Sequence, residues 1–251
     1  MRILVGTSGF SYPAWKGSFY PEDITSPRML AWYAHRLPAV EVNNTFYRMP
    51  NARVLTAWRE EVPGEFRFAL KAPQRITHLK RLSDVEGPVA HFWKVAAALG
   101  SALGPVLFQL PPQMRRDVGR LREFLALVPD GAQTAFEFRH TSWFEDDVFR
   151  ALAEHGAALC VNQSEDLDAP LLATGPVGYL RLRRPGYSVA ELAEWAARIR
   201  AQPWHTAYVF FKHEDEARGP RFALALAASL QGDDASRADG ASSEAPGPSP
   251  A

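Results

Sequence analysis

Cysteine is almost absent. Cys160 stands alone in 251 residues, so no internal disulfide can form, a usage that suits a reducing cytoplasm. There is no excess of either charge, since Lys+Arg and Asp+Glu are 28 each. That balance removes a global electrostatic drive toward nucleic acid or an anionic membrane surface, while leaving room for a local basic patch. No apolar run approaches the roughly 20 residues of a membrane span. Arg2 to Val5 reads at once as strand, with no signal-peptide apolar core ahead of it. Gly6 and Gly9 do not complete a dinucleotide fingerprint, and no Walker lysine motif follows a strand. Ser8 and Ser142 lack a nucleophile elbow, and Cys160 lies in the apolar run Ala157 to Val161, which reads as a buried thiol. The acidic and imidazole groups at strand ends (Glu41, Glu137, His140, His213) are few and interspersed with Lys and Arg. Those cations repel a metal cluster, so neither a metal nor another cofactor is expected.

What the chain does have is alternation. Strand-like runs at Ile3–Thr7, Val40–Asn43, Phe66–Lys71, Pro105–Leu110, Thr134–Phe138, Ala158–Val161, Gly178–Leu182 and Thr206–Phe211 are separated by helical patterns. Those helices are expected at Pro27–Leu37 with Ser26 as N-cap, Ala52–Glu61, Pro88–Leu103, Val118–Val128, Asp146–His155, Val189–Arg200 and Arg221–Leu230. Arg75 to His78 reads as loop, and the crossover over about residues 163–176 as irregular. Eight such units predict an α/β fold, a single (β/α)8 TIM-type barrel over residues 1–231, with an open doubly wound sheet as the runner-up. From Gly232 to Ala251 no large apolar residue occurs, which predicts a disordered tail.

The strands end in polar side chains, and that is where a parallel α/β protein places its chemistry. Glu41 and Asn43 share one strand face, as do Glu137 and Arg139. Lys71, Gln109, Arg181 and Lys212 close four other strands. Lys71, Arg139, Arg181 and Lys212 predict a mouth that binds an anion. Glu41 or Glu137 is a candidate general acid/base, provided that its pKa is raised, with His140 or His78 as partner. The competing reading of Glu41 is an internal ion pair with Lys71 or Arg139. His78 reads equally as a rim acid/base or a solvated cap. Trp15, Tyr47 and Trp143, together with Phe19, are candidate stacking surfaces for a ligand, while Trp15, Phe19 and Tyr20 also fit a plug at one end of the barrel.

Seven blocks taken together resemble the DUF72 (YecE-like) family. They are Gly6-Thr7-Ser8-Gly9-Phe10, Trp15 to Pro21, Val40 to Arg48, Ile76-Thr77-His78, Leu107 to Pro112, Glu137 to Trp143 and Tyr179 to Leu182. The resemblance implies a TIM barrel and supplies no established activity or catalytic residue. The barrel's similarity to metal-dependent apurinic-site endonucleases adds DNA as a ligand class by fold analogy alone, and this chain departs from those nucleases in lacking their strand-end metal ligands.

Three functions fit these parts. The first is an enzyme acting by general acid/base chemistry on a small anionic, sugar-like substrate, phosphorylated or carboxylated, with hydrolysis, lyase chemistry and isomerisation all open. The second is a nucleic-acid binder or nuclease-like protein that stacks bases on the rim aromatics. The third is a non-catalytic protein whose mouth docks a partner. No membrane is expected as a partner, and oligomeric state is not readable from the sequence.

Overall fold

A computed structural model describes residues 1–163, 167, 169–212 and 215–241; of Asp215 and residues 232–241 the backbone alone is described. Eight strands form a closed barrel in sequence order. They are β1 (Arg2–Ser8), β2 (Ala39–Val42), β3 (Arg67–Lys71), β4 (Leu103–Gln109), β5 (Thr134–Glu137), β6 (Ala158–Gln163), β7 (Val177–Leu182) and β8 (Thr206–Phe211). Each pairs in parallel with its neighbours, and β1 closes the ring on β8 through Arg2↔Thr206 to Thr7↔Phe211. Parallel strands covered on both faces read as continuous apolar runs, and β2, β5 and β7 are buried along their whole length.

Alternation sorts the two faces. Leu4, Ala39, Ala69, Leu107, Ala135, Ala158, Cys160, Val177, Tyr179, Tyr208 and Phe210 form a separate cluster inside the barrel. Alanines on β2, β3, β5 and β6 face the large rings of β7 and β8, with Tyr179 and Phe210 5.3 Å apart between centroids. The outward faces pack beneath α1 (Met29–Ala34), α2 (Ala52–Glu60), α3 (Glu86–Ala96), α4 (Val118–Leu125), α5 (Asp146–Glu154), α6 (Val189–Arg200) and α7 (Arg218–Ala241). Gly6 marks the closest approach: a Cβ there would lie 1.9 Å from the Ala39 carbonyl oxygen. Beside it the Tyr33 hydroxyl accepts from the Thr7 amide at 2.8 Å and donates to Ala39 O at 2.9 Å, tying β1 to β2.

Several caps explain the helix starts. Asn51 and Asp117 accept from the amides of Val54 and Arg120, and Ser188 with Glu191 makes a reciprocal capping box. Three local expectations are corrected. The helix expected from Pro27 to Leu37 begins with a 3-10 turn at Ser26–Arg28, where the Arg28 amide reaches Thr25 O, and Ser26 caps nothing. Pro27 sits in that first turn, where a missing amide donor is tolerated, and the regular helix runs from Met29. The helix expected over Pro88–Leu103 is regular from Glu86 to Ala96 and tightens to 3-10 over Ala97–Ala102, around Gly100 at φ 52°. Arg75–Leu79 is a π-turn, not a loop, closed by the Lys80 amide on Arg75 O at 3.1 Å. The crossover between β6 and β7 carries no helix among the described residues. The backbone of α7 continues to Ala241, and the rest of the tail expected from Gly232 lies outside the described residues.

Candidate functional site

The interior apolar layer ends one alternation step before the strands do. The next inward positions are Ser8, Glu41, Lys71, Gln109, Glu137, Asn162 and Arg181, one from each strand β1 to β7. All except Lys71 are buried. Arg139 and Arg183 follow one step further out, just beyond the ends of β5 and β7, with side chains 29% and 19% exposed.

Arg181 organises this layer. Its Nη2 lies 2.8 Å from Glu41 Oε1 and its Nη1 2.5 Å from Glu137 Oε2, so one guanidinium bridges two fully buried carboxylates. The remaining carboxylate capacity is also used. Ser8 Oγ and Asn43 Nδ2 donate to Glu41 Oε1 at 2.7 and 3.1 Å, and the Tyr179 hydroxyl donates to Oε2 at 2.7 Å. Gln109 Nε2 donates to Glu137 Oε1 at 2.9 Å. Burial pulls the Glu41 carboxyl upward, but Arg181 and the hydroxyls of Tyr179 and Ser8 outweigh it and hold it at about 2. Glu137 is lowered in the same way, with burial opposed by Arg181, Arg183, Gln109 and Arg139. Both are therefore ionised at neutral pH.

A stability consequence follows from Glu41. A carboxyl lowered from 4.5 to about 2 contributes stability that is fully present above pH 4.5 and lost as pH falls through 2. The size is about 3 kcal/mol by the energy of a pKa unit. Urea unfolding of Glu41→Gln should therefore show a shallower pH dependence between pH 5 and 2 than the wild type, with the part owed to Glu137 remaining; an unchanged slope would remove Glu41 as a source.

The positive side is only partly matched. Arg139 Nη1 and Arg183 Nη1 stand 3.6 and 3.9 Å from Glu137 Oε1, beyond hydrogen-bond reach. Neither guanidinium donates a side-chain hydrogen bond to a described residue. Lys71 adds a third cation, its Nζ 4.0 Å from the centroid of the Phe46 ring. Burial and the neighbouring Arg181 bring its ammonium down to about 8. His78 packs edge-on to the same Phe46 ring at 4.8 Å, with Thr77 Oγ1 2.9 Å from Nδ1. Burial, Lys71 and Arg139 lower its pKa, which favours neutral imidazole. Four cationic side chains thus surround two carboxylates, and the surplus faces outward at Arg139, Arg183 and Lys71.

A family model described as "Protein of unknown function DUF72" matches residues 4–247. The chain belongs to the DUF72 family. Relatives of this DUF72 protein include the UPF0759 protein YecE of Escherichia coli K12, 30% identical over 173 residues, 66% of this chain and 61% of YecE. The UPF0759 protein YunF of Bacillus subtilis 168 is 32% identical over 156 residues, 59% of this chain and 54% of YunF. The matched segments span less than two thirds of either relative. A DUF72 family protein from Thermotoga maritima superposes with TM-score 0.81 at 25% identity, covering 92% of this chain and all of that one. An Enterococcus faecalis DUF72 protein gives 0.78 at 20% identity, over 91% of this chain and 95% of that one. A Methanosarcina mazei methyltransferase, at 0.53 and 12% identity, shares the fold alone.

In this DUF72 protein the residues singled out in the sequence divide into three groups. Glu41, Asn43, Lys71, Gln109, Glu137, Arg139 and Arg181 do meet at one mouth, and His78 stands beside Lys71. The expected partner of Glu41 is corrected: the ion pair is with Arg181, not Lys71 or Arg139. Two roles are corrected with it. The carboxyls of Glu41 and Glu137 are lowered instead of raised, and Arg181, 3% exposed, spends both terminal nitrogens on them while its buried Nε has no hydrogen-bond partner, so it positions the layer. In the second group two aromatics are sealed in the core. Trp15 is 1% exposed within an aromatic cluster of Tyr12, Phe19 and Tyr20, and Trp143 is fully buried on Phe138. Both are core residues, leaving Tyr47, 74% exposed, as the open aromatic of the three. His140 is also occupied structurally, its Nδ1 accepting from the Ser142 amide to cap the turn Thr141–Trp143. Lys212 follows β8 and is exposed, and His213 lies outside the described residues. The third group went unread: Ser8, Tyr179, Asn162 and Arg183. Arg183 sits two residues after Arg181, the spacing that puts both on one strand face, but the apolar run ends at Leu182.

Among the described residues no three His, Cys, Asp or Glu side chains come together as a metal-binding group, and no described helix is long and apolar enough to cross a membrane.

Proposed function

We propose that this DUF72 protein is an enzyme that binds a small anionic, sugar-like substrate, phosphorylated or carboxylated, at the C-terminal mouth of its barrel. The observation that carries the reading is the pair Arg139 and Arg183. Both are half-buried, both sit over an already satisfied carboxylate layer, and neither donates a hydrogen bond to a described residue. Guanidinium groups so placed present planar donor forks to a carboxylate or phosphate, and charge-assisted bonds are the strong ones. Proton transfer falls to His78 in its neutral form, since both carboxylates are weakened as bases by Arg181. The single, buried Cys160, whose thiol is pushed well up by burial, supports a cytoplasmic setting.

Thermal shift with sugar phosphates, sugar acids and inorganic phosphate tests the reading. Arg139→Ala and Arg183→Ala are each expected to weaken anion affinity about 10-fold or more, from about 1.5–3 kcal/mol per charged hydrogen bond, with little change in the unliganded melting temperature. Full retention of affinity in both variants would refute it. Stabilisation by oligonucleotides alone, falling steeply with salt, would replace the small substrate with nucleic acid. Silence to every ligand would leave a partner protein as the reading to pursue.

A further inference from the structure

Lys71 differs from the other cations of the mouth. It ends β3 on the face that carries Ala69 into the barrel interior, so its side chain enters the mouth from the wall. No carboxylate lies within ion-pair distance of it among the described residues, because Glu41 and Glu137 are occupied by Arg181, Ser8, Asn43, Tyr179 and Gln109. Its Nζ rests on the Phe46 ring, and His78 meets the same ring. Burial and Arg181, with Arg183 behind them, disfavour the ammonium more than the carboxylates of Glu137 and Glu41 favour it, bringing it to about 8, so about a tenth is free amine near pH 7. A half-buried lysine with no carboxylate of its own and a guanidinium nearby is the arrangement that activates an amine toward carbonyl carbon.

We propose that Lys71 is a nucleophile that condenses with the carbonyl group of an anionic aldehyde or ketone to form an imine. The inference rests on the anion-binding reading above and names the substrate class of that site: a carbonyl compound whose phosphate or carboxylate is held by Arg139 and Arg183. The neutral amine adds its lone pair to the carbonyl carbon, forming the C–N bond while the C=O π pair moves to oxygen. The oxygen gains a proton and the nitrogen loses one, with His78 as the neighbouring base that relays it. Protonation of that hydroxyl by the His78 imidazolium and its departure as water then leave a protonated C=N bond. The sum is amine plus carbonyl plus one proton giving protonated imine plus water, with no oxidant or reductant. The resulting cationic nitrogen accepts electron density from an adjacent C–C or C–H bond, the need of lyase and isomerase chemistry. A lysine that merely covers Phe46 would react like any surface amine.

The full-length protein, incubated with glycolaldehyde phosphate and cyanoborohydride and then peptide-mapped, tests this without relying on a variant that folds. Lys16, Lys80, Lys94 and Lys212 are internal references in the same chain. Lys71 is expected to be reductively alkylated at least 10-fold faster than each of them, and inorganic phosphate to slow that labelling. Lys71→Arg should lose the fast adduct while keeping its thermal melt. Labelling of Lys71 no faster than the references would overturn the inference, and if phosphate still raised the melting temperature the anion reading would survive it. Fast labelling that phosphate fails to slow, equally fast with uncharged glycolaldehyde, would keep the nucleophile and remove the anion site.

Discussion

Arg181→Met is expected to lower the unfolding free energy by about 3–5 kcal/mol at pH 7, the range for breaking a buried ion pair on one side. Arg181 is 3% exposed and is the near countercharge of two carboxylates that are themselves fully buried. Methionine fills much of the volume, so the loss would report charge more than cavity. The pH dependence gives the sharper signature. With the guanidinium present, Glu41 and Glu137 are held below their ordinary range and stabilise the fold above pH 4.5. Without it both carboxyls rise, held down only by Tyr179 and Ser8 at Glu41 and by Arg183, Gln109 and Arg139 at Glu137. The variant then loses stability that the wild type gains on ionising them. The gap between variant and wild type should therefore narrow from pH 7 to pH 4, measured by urea unfolding. Adding Glu41→Gln and Glu137→Gln to Arg181→Met removes the stranded charges and should recover part of the loss. A pH-independent difference under about 1 kcal/mol would show that the layer is not held by Arg181.

Trp143→Ala is expected to cost about 3–5 kcal/mol, as large aromatic truncations in a core do. For a domain of this size that is a drop of roughly 6–20 °C in melting temperature. Trp143 is fully buried, its ring lies 4.6 Å from Phe138 at an interplanar angle of 4°, and its Nε1 donates to Met114 O at 2.8 Å. Trp143→Phe keeps an aromatic face for Phe138 but leaves the Met114 carbonyl without its donor, an intermediate loss of about 1–3 kcal/mol. A stacking surface at the rim behaves in the opposite way, with stability changed by less than about 0.5 kcal/mol and ligand affinity reduced. That second pattern would return Trp143 to the ligand and contradict its place in the core.

These two residues also mark where reading a sequence ends. Period-2 alternation is local, so it placed Glu41 beside Asn43 and Glu137 beside Arg139 on common faces. Eight strand periods interleaved with seven helical ones carried the barrel itself. Charge at strand ends likewise pointed to the mouth, because parallel strands in sequence order all finish at one end. Burial and partner choice are not local. Trp143 and Tyr47 are both aromatics that follow strands, yet one is the buried last residue of a turn capped by His140 and the other stands 74% exposed. Arg181 meets Glu41 across 140 residues of chain, a contact set by ring closure and by the depth at which each strand ends. Closure places β7 where its arginine reaches both β2 and β5, and that reach neutralises Arg181, lowers both carboxyls and leaves Arg139, Arg183 and Lys71 as the cations that face outward. The sequence by itself determined the strand-end residues Glu41, Lys71, Gln109, Glu137, Arg139 and Arg181 that meet at the mouth, since strand alternation needs only near neighbours. The tertiary structure decided which of them cancel, because electrostatic pairing depends on distances that only the closed barrel sets.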